Sequence, residues 1–405
     1  MRWSAHFATL ILMTVLGMIS NQSRANNSSD AFKPFVRAQY GYDSNLFRLQ
    51  NDQEANSVLD TTDTAVSYHV LAAGLDLDIP VSRQAIRAHA EINQTRYDQF
   101  SMLNYRGHDA YLKWDWTIGN RAQGEVGGSE TLTQASYSNV KQPVSNLIRT
   151  RRNFMNALIK LDTPWRVGLG LDRIETNNKA AIQRVQNATV DRVNAALQYR
   201  TRKGSTLELI SQRSDGQYQN RQVVVGVPIN NNYRQWDNGM AFSSEVTGKT
   251  RLSGKLNYTE RSYNDVPQRD FSGLTGLLSM DWAITEKTMV KASVHRDIGA
   301  LENNTASYTL NHGTTVGLDW RPTSKLVFNT QFGYDNIEYA GDPGFVLSRS
   351  ATREDQLTSL QAGIQYALLR NTKIELVLHR GIRHSSEALS SYRYNRALLN
   401  LRSDF

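Results

Sequence analysis

The chain has 405 residues, 40% hydrophobic and 21% charged, with a formal charge of +8 and no cysteine. Lack of cysteine excludes thiolate metal sites, disulfides and cysteine nucleophiles, and suits a protein that crosses the periplasm without disulfide catalysts. The basic residues are spread along the chain among acids, which argues against nucleic acid as a partner.

Residues 1–25 read as a cleaved secretory signal. Arg2 and His6 precede the apolar run 7–19, and Ser23-Arg24-Ala25 supplies a small-x-small cleavage site. The run of about 13 apolar residues is short of the roughly 20 that cross a bilayer. Loss of Arg2 and Arg24 with the leader lowers the formal charge from +8 to +6. Residues 26–34 are expected to form a short periplasmic segment and 35–405 the folded body. No later apolar run is long enough for a membrane helix, so any membrane passage has to be made by strands.

Beyond residue 34 the dominant period is two. Ile86, Ala88, Ala90 and Ile92 share one face, as do Ala110, Leu112, Trp114 and Trp116, and then Met155, Ala157, Ile159 and Leu161. About eighteen such segments, each about 9–14 residues long, follow one another. Their connections alternate in length. Short ones fall near 79–83, 118–120, 162–164, 201–204, 247–249, 284–287, 321–325 and 370–372. Long polar ones fall near 50–63, 100–106, 130–149, 173–189, 215–234, 264–270, 301–305, 339–353 and 384–391. A soluble sandwich shares the period but has no reason to alternate its connections. The pattern predicts an all-β protein: a transmembrane antiparallel β-barrel of the bacterial outer membrane, about 18 strands, with short periplasmic turns and longer external loops.

Aromatic residues mark the short-turn side. Trp116, Tyr199, Trp282, Trp320 and Tyr366 end strands that enter short turns, and Trp165 begins a strand that leaves one. Rings with an apolar body and a polar tip prefer the headgroup level, so these six are expected to form a periplasmic girdle against outer-membrane lipid. At the chain end, Ala397, Leu399, Leu401 and Phe405 share a face. A last strand closing on Phe405 is similar to the signal by which the barrel-assembly machinery recognises its clients, although Ser403 departs from the usual apolar residue.

With the apolar faces turned to lipid, the expected pore lining includes Arg37, Arg87, Glu91, Lys113, Asp115, Arg152, Lys160, Arg192, Arg251, Lys255, Lys291 and Lys373, with Arg166, Arg200, Arg396 and Arg402 on the same face. An eighteen-stranded lumen holds water. Its wall is expected to be polar and mildly basic, of the kind that tunes selectivity. The basic run Arg149-Thr150-Arg151-Arg152 lies near an external loop and reads as a solvated rim. Enzyme chemistry has little footing. The histidines after the leader are scattered without a ligand spacing, and His312, on an apolar face, offers only a weak case for a lipid-facing Ser–His–Asn site. No cofactor and no metal are expected.

The stretch PFVRAQYGYDSNLFRLQ (34–50) carries a more specific signal. An aromatic strand followed by Tyr42, Asp43, Ser44, Asn45, Leu46, Phe47, Arg48 and Leu49 resembles the opening of the EpsL-type outer-membrane proteins, which are encoded with exopolysaccharide and exosortase genes in Gram-negative bacteria. The resemblance is densest over 42–49. It implies a part in making or exporting extracellular polysaccharide, with the polymer chain and periplasmic or inner-membrane export machinery as partners. The sequence reading therefore expects an outer-membrane pore for polysaccharide export. A general or solute-specific uptake porin is the alternative, and an outer-membrane lipid-modifying enzyme ranks third. Uptake porins usually narrow the lumen with a folded-in external loop, a part that 130–149 or 215–234 could take, so a plugged lumen would favour the small solute.

Overall fold

The computed structural model describes residues 31–138, 140–162, 164–224, 227–265, 267–299, 308–340 and 353–405. The leader 1–25, most of the 26–34 segment, the loop 301–305 and most of the loop 339–353 lie outside the described residues. The first half of the wall is built from β1 (Phe32–Asp43), β2 (Val66–Val81), β3 (Gln84–Tyr97), β4 (Tyr105–Ile118), β5 (Ala122–Gln134), β6 (Leu147–Lys160), β7 (Trp165–Asn178), β8 (Ala188–Arg200) and β9 (Thr206–Tyr218). A small hairpin, β10 (Gln222–Val224) and β11 (Val227–Ile229), follows as a loop of its own. The second half is β12 (Tyr233–Thr247), β13 (Thr250–Tyr263), β14 (Phe271–Thr285), β15 (Thr288–Ile298), β16 (Tyr308–Trp320), β17 (Leu326–Ala340), β18 (Glu354–Ala367), β19 (Thr372–Ser385) and β20 (Tyr392–Asp404).

Eighteen of these strands make one antiparallel sheet in which each pairs with its neighbours in the chain. Strand β9 pairs with β12 past the small hairpin, and β20 returns to β1, with Ala38 opposite Leu401 and Arg37 opposite Arg402. The sheet is therefore closed, and none of its eighteen described strands has a free edge. Sequence and structure agree on all eight short turns, which leave between two residues (82–83) and five (321–325) outside the strands. Strand β1 starts at Phe32, three residues ahead of the boundary expected at 35.

The register fixes which face is which. Leu71, Leu112, Met155, Leu171, Val193, Leu256, Val316, Leu360 and Leu399 are all exposed and share the outer face. Exposed apolar side chains on every strand suit hydrocarbon and would be an aggregation hazard in water. Where a bulky ring lies across the wall, glycine makes room: a Cβ at Gly124 would collide with the Trp116 ring opposite. All six girdle aromatics stand on the outer face beside the short turns. Trp165 meets Tyr199 edge-on at 5.2 Å, and Trp320 stacks on Phe328 at 5.2 Å. A second set that sequence reading missed, Tyr40, Tyr42, Trp236, Tyr258 and Tyr334, is exposed on the outer face nearer the long loops. Phe405 is 70% exposed at the turn-side rim, its N–H donating to the Pro34 carbonyl at 2.8 Å.

Candidate functional site

The site begins where β1 ends. Asp43 faces inward and is fully buried. Its carboxylate accepts from two nitrogens of Arg48 at 2.8 and 2.9 Å, from Arg396 Nε at 3.1 Å and from the Asn45 N–H at 3.0 Å. The Asn45 side chain accepts from the Leu49 N–H at 2.9 Å and donates to the Leu49 and Arg393 carbonyls at 2.7 and 3.0 Å. Arg48, in the left-handed region at φ 59°, lays its guanidinium 3.5 Å above the Tyr394 ring. Because Asp43, Tyr394 and Arg396 all lie on the inner face, the chain turns inward at residue 44 and rests against the wall of the lumen. Residues 43–49 are thus a compact, mutually hydrogen-bonded fold. Buried charges are tolerated only when paired and hydrogen-bonded in this way.

A helix, α1 (Asp52–Leu59), follows, and nothing in the strand pattern announced it. Its signal was local: Asn51 caps it by accepting from the Glu54 N–H at 2.9 Å, and Glu54 reaches back to the Gln50 N–H. This is close to a capping box. The apolar side of this loop completes a small core. Leu46, Phe47, Leu49 and Ala55 bury themselves with Leu103 from the next external loop and Tyr137 from the one after. Phe47 stands edge-on to Phe100 at 4.9 Å and to Tyr137 at 4.7 Å.

Segment 135–146 joins the loop from the other side. Lys141 bonds Glu54 at 3.1 Å and the Leu389 carbonyl, and Arg383 on β19 donates to the Ser138 carbonyl at 3.4 Å. Burial holds the Lys141 ammonium below the ordinary lysine range, against the pull of Glu54. Arg383 also binds Asp355, and its guanidinium meets the Tyr339 hydroxyl at 2.8 Å. A segment leaving β5 therefore touches β19, so it spans the mouth inside the ring of strands. On the opposite side, Arg269 is fully buried and binds Asn231, while Arg261 donates to the Gly299 carbonyl at 3.1 Å and to Gln235 at 2.8 Å. The loops 219–232 and 264–270 are thereby joined above β9 to β14. Of the loops expected to fold inward, 130–149 does so through 135–138 and 140–146, whereas the larger plug, 44–65, takes in the link 50–63, which the sequence pattern assigns to the external loops.

Below the mouth, the register puts all twelve expected lining residues on the inner face. Most are held by carboxylates rather than standing free. Arg37 meets Glu91, and Arg87 meets Asp115 and, at 3.4 Å, Asp78. Lys113 bridges Asp115 and Glu125, both at 3.1 Å. Arg152 and Arg192 share Asp172 at 2.6 and 3.3 Å, Arg251 meets Glu245 at 2.9 Å, and Lys291 meets Asp319 at 2.7 Å. Arg402 pairs with Asp76 at 2.6 Å. Lys160, Lys255 and Lys373 make no ion pair among the described residues. The inner face also carries Asp43, Asp76, Asp78 and Asp355, together with Arg261 and Arg383. Arg151 bonds Glu130 at 2.6 Å on the outer face, apart from Arg152. His312 lies on the outer face 3.7 Å from Glu338. No cluster of three or more metal-ligating side chains occurs among the described residues.

Residues 235–405, from β12 to the end, match the family model described as "Putative beta-barrel porin 2". No curated protein sequence matches the chain. Among solved structures, the chain is similar to Pseudomonas aeruginosa OccK2 (OpdF), with a TM-score of 0.52 and 8% identity over 93% of this chain and 98% of that one. It is similar also to OccK2 (OpdF) from Pseudomonas aeruginosa in complex with glucuronate, with a TM-score of 0.51 and 9% identity over 93% and 99%. At such identities the likeness is one of fold. The chain thus has the closed, eighteen-stranded antiparallel barrel fold of outer-membrane porins.

Proposed function

We propose that the protein is a passive outer-membrane channel for small hydrophilic solutes, with its selectivity set at the external mouth. The observation that carries this reading is the pair of inward segments, 44–65 and 135–146, locked to each other through Phe47, Tyr137, Glu54 and Lys141 and to the wall through Asp43 and Arg383. A mouth narrowed in this way suits a solute that passes as a single small molecule. The fold it shares with OccK2, a protein solved with glucuronate, is in keeping with that reading.

Polysaccharide export is the second reading, and the resemblance of residues 42–49 to EpsL-type proteins is what favours it. In this structure Asp43, Asn45 and Arg48 of that stretch tie the inward loop to the wall at Arg393, Tyr394 and Arg396. One pair of measurements separates the two. Purified barrel in a planar bilayer should carry a steady ionic current and let small sugars and carboxylates enter liposomes. A gene deletion should leave cell-surface polysaccharide unchanged. Loss of surface polysaccharide, with restoration by the intact gene, would turn the assignment to export.

A further inference from the structure

Arg87 and Lys113 stand directly opposite each other across β3 and β4, and Asp78, Asp115 and Glu125 neutralise them. Lys160 and Arg166 stand in the same relation across β6 and β7. Arg166 is opposite Gln198 on β8, and Arg200 lies two residues beyond on the same face. No described residue gives Lys160, Arg166 or Arg200 an ion pair or a side-chain hydrogen bond. Of the nearby carboxylates, Asp162 is taken by Arg121 at 2.9 Å, and Glu208, opposite Gln198, accepts from the Gln198 amide at 2.5 Å. Like charges directly opposite on one face of a sheet repel, and this wall elsewhere places acids between them.

The neighbouring Gln198 adds an independent observation. It is 3% exposed, its amide nitrogen is fixed on Glu208, and its carbonyl oxygen is buried with no hydrogen-bond partner. A buried acceptor without a donor calls for one from outside the chain. Three unneutralised cations beside one unfilled acceptor match a solute with a carboxylate and a hydroxyl group.

We propose that Lys160, Arg166, Arg200 and Gln198 form a binding site for hydroxylated carboxylates, such as sugar acids, at the periplasmic end of the lumen. The proposal rests on the channel reading and names its solute class. The two bases opposite each other hold the carboxylate, Arg200 draws it along the wall, and the Gln198 carbonyl accepts from a hydroxyl. Arginine forks suit carboxylates, and the hydroxyl contact rejects acids that lack it.

The test reads block of single-channel current by three probes: glucuronate, cyclohexanecarboxylate, which keeps ring and charge without hydroxyls, and glucose. Glucuronate should block the wild type at the lowest concentration. In Lys160→Gln/Arg166→Gln, the half-blocking concentration of both acids should rise at least about tenfold, since both charges that hold the carboxylate are lost. Glucose should be unaffected. Lys160→Glu, which would neutralise Arg166 as Asp115 neutralises Arg87, should weaken acid block as strongly and gives an independent folded variant. Gln198→Leu should weaken glucuronate alone. Unchanged acid block in the folded lysine and arginine variants would overturn the site while leaving the channel. Folded wild type that carries no current would remove both.

Discussion

Replacing Phe47 by alanine tests whether the plug is held by its small core. The ring is fully buried and makes its edge contacts to Phe100 and Tyr137 at 4.9 and 4.7 Å, bridging two other loops. Truncating a buried phenylalanine costs about 3–5 kcal/mol. The loss falls on docking of 44–65 rather than on the barrel, because no strand ladder passes through the ring. If docking is favoured by about 4 kcal/mol, the undocked loop is populated at roughly 0.1% in the wild type and at tens of per cent in the variant. The assay is single-channel recording on heat-modifiable, folded protein. The wild type should show one steady level, and Phe47→Ala frequent steps to a larger conductance. Leu169→Ala, an exposed position on the outer face, should keep the wild-type trace. A folded Phe47→Ala trace indistinguishable from wild type, with a deletion of 50–62 equally silent, would refute the idea that this loop narrows the path.

Two further expectations follow from the topology and from the chain end. A cysteine at Asn220 should react with a membrane-impermeant thiol reagent on intact cells and one at Gly248 should not; equal labelling would invert or abolish the assigned sides. Phe405→Asp should lower the yield of folded barrel while leaving leader cleavage intact, since an exposed apolar ring at the rim becomes a charge; normal assembly would show that the last side chain is dispensable.

Strand period, turn positions and outward faces were legible because each is a local property: alternation within ten residues tells lipid from lumen. Met155, Ala157 and Ile159 could not be placed otherwise without exposing apolar surface to water. The pairing of the inner charges was not legible, because it depends on register between strands. Arg37 reaches past β2 to Glu91, and Arg402 meets Asp76 only because β20 closes on β1. The plug was harder still. Its signals, the Asn51 cap with Glu54 and the buried pair Asp43 and Arg48, lie in a segment that local polarity assigns to an external loop. What turns that segment inward is contact with residues about 350 positions away, Arg393, Tyr394 and Arg396.

That separation sets an order of events. The anchor of 44–65 needs β20 beside β1: Ser44 donates its N–H to the Asn395 carbonyl at 2.9 Å, Asn45 bonds the Arg393 carbonyl, and Asp43 meets Arg396. Until the last strand arrives, Asp43 and Arg48 have each other but neither Arg396 nor the Tyr394 ring. A charged pair is poorly retained against hydration without such support. Docking of the plug should therefore follow closure of the barrel. Trypsin should cut after Arg48 in the unclosed form and lose that site as the heat-modifiable form appears. In Arg396→Met the barrel should still close, because its strand ladder is intact, yet the Arg48 site should stay open to the protease. Protection of Arg48 before closure, or full protection in folded Arg396→Met, would show that the loop folds on its own and meets the wall afterwards.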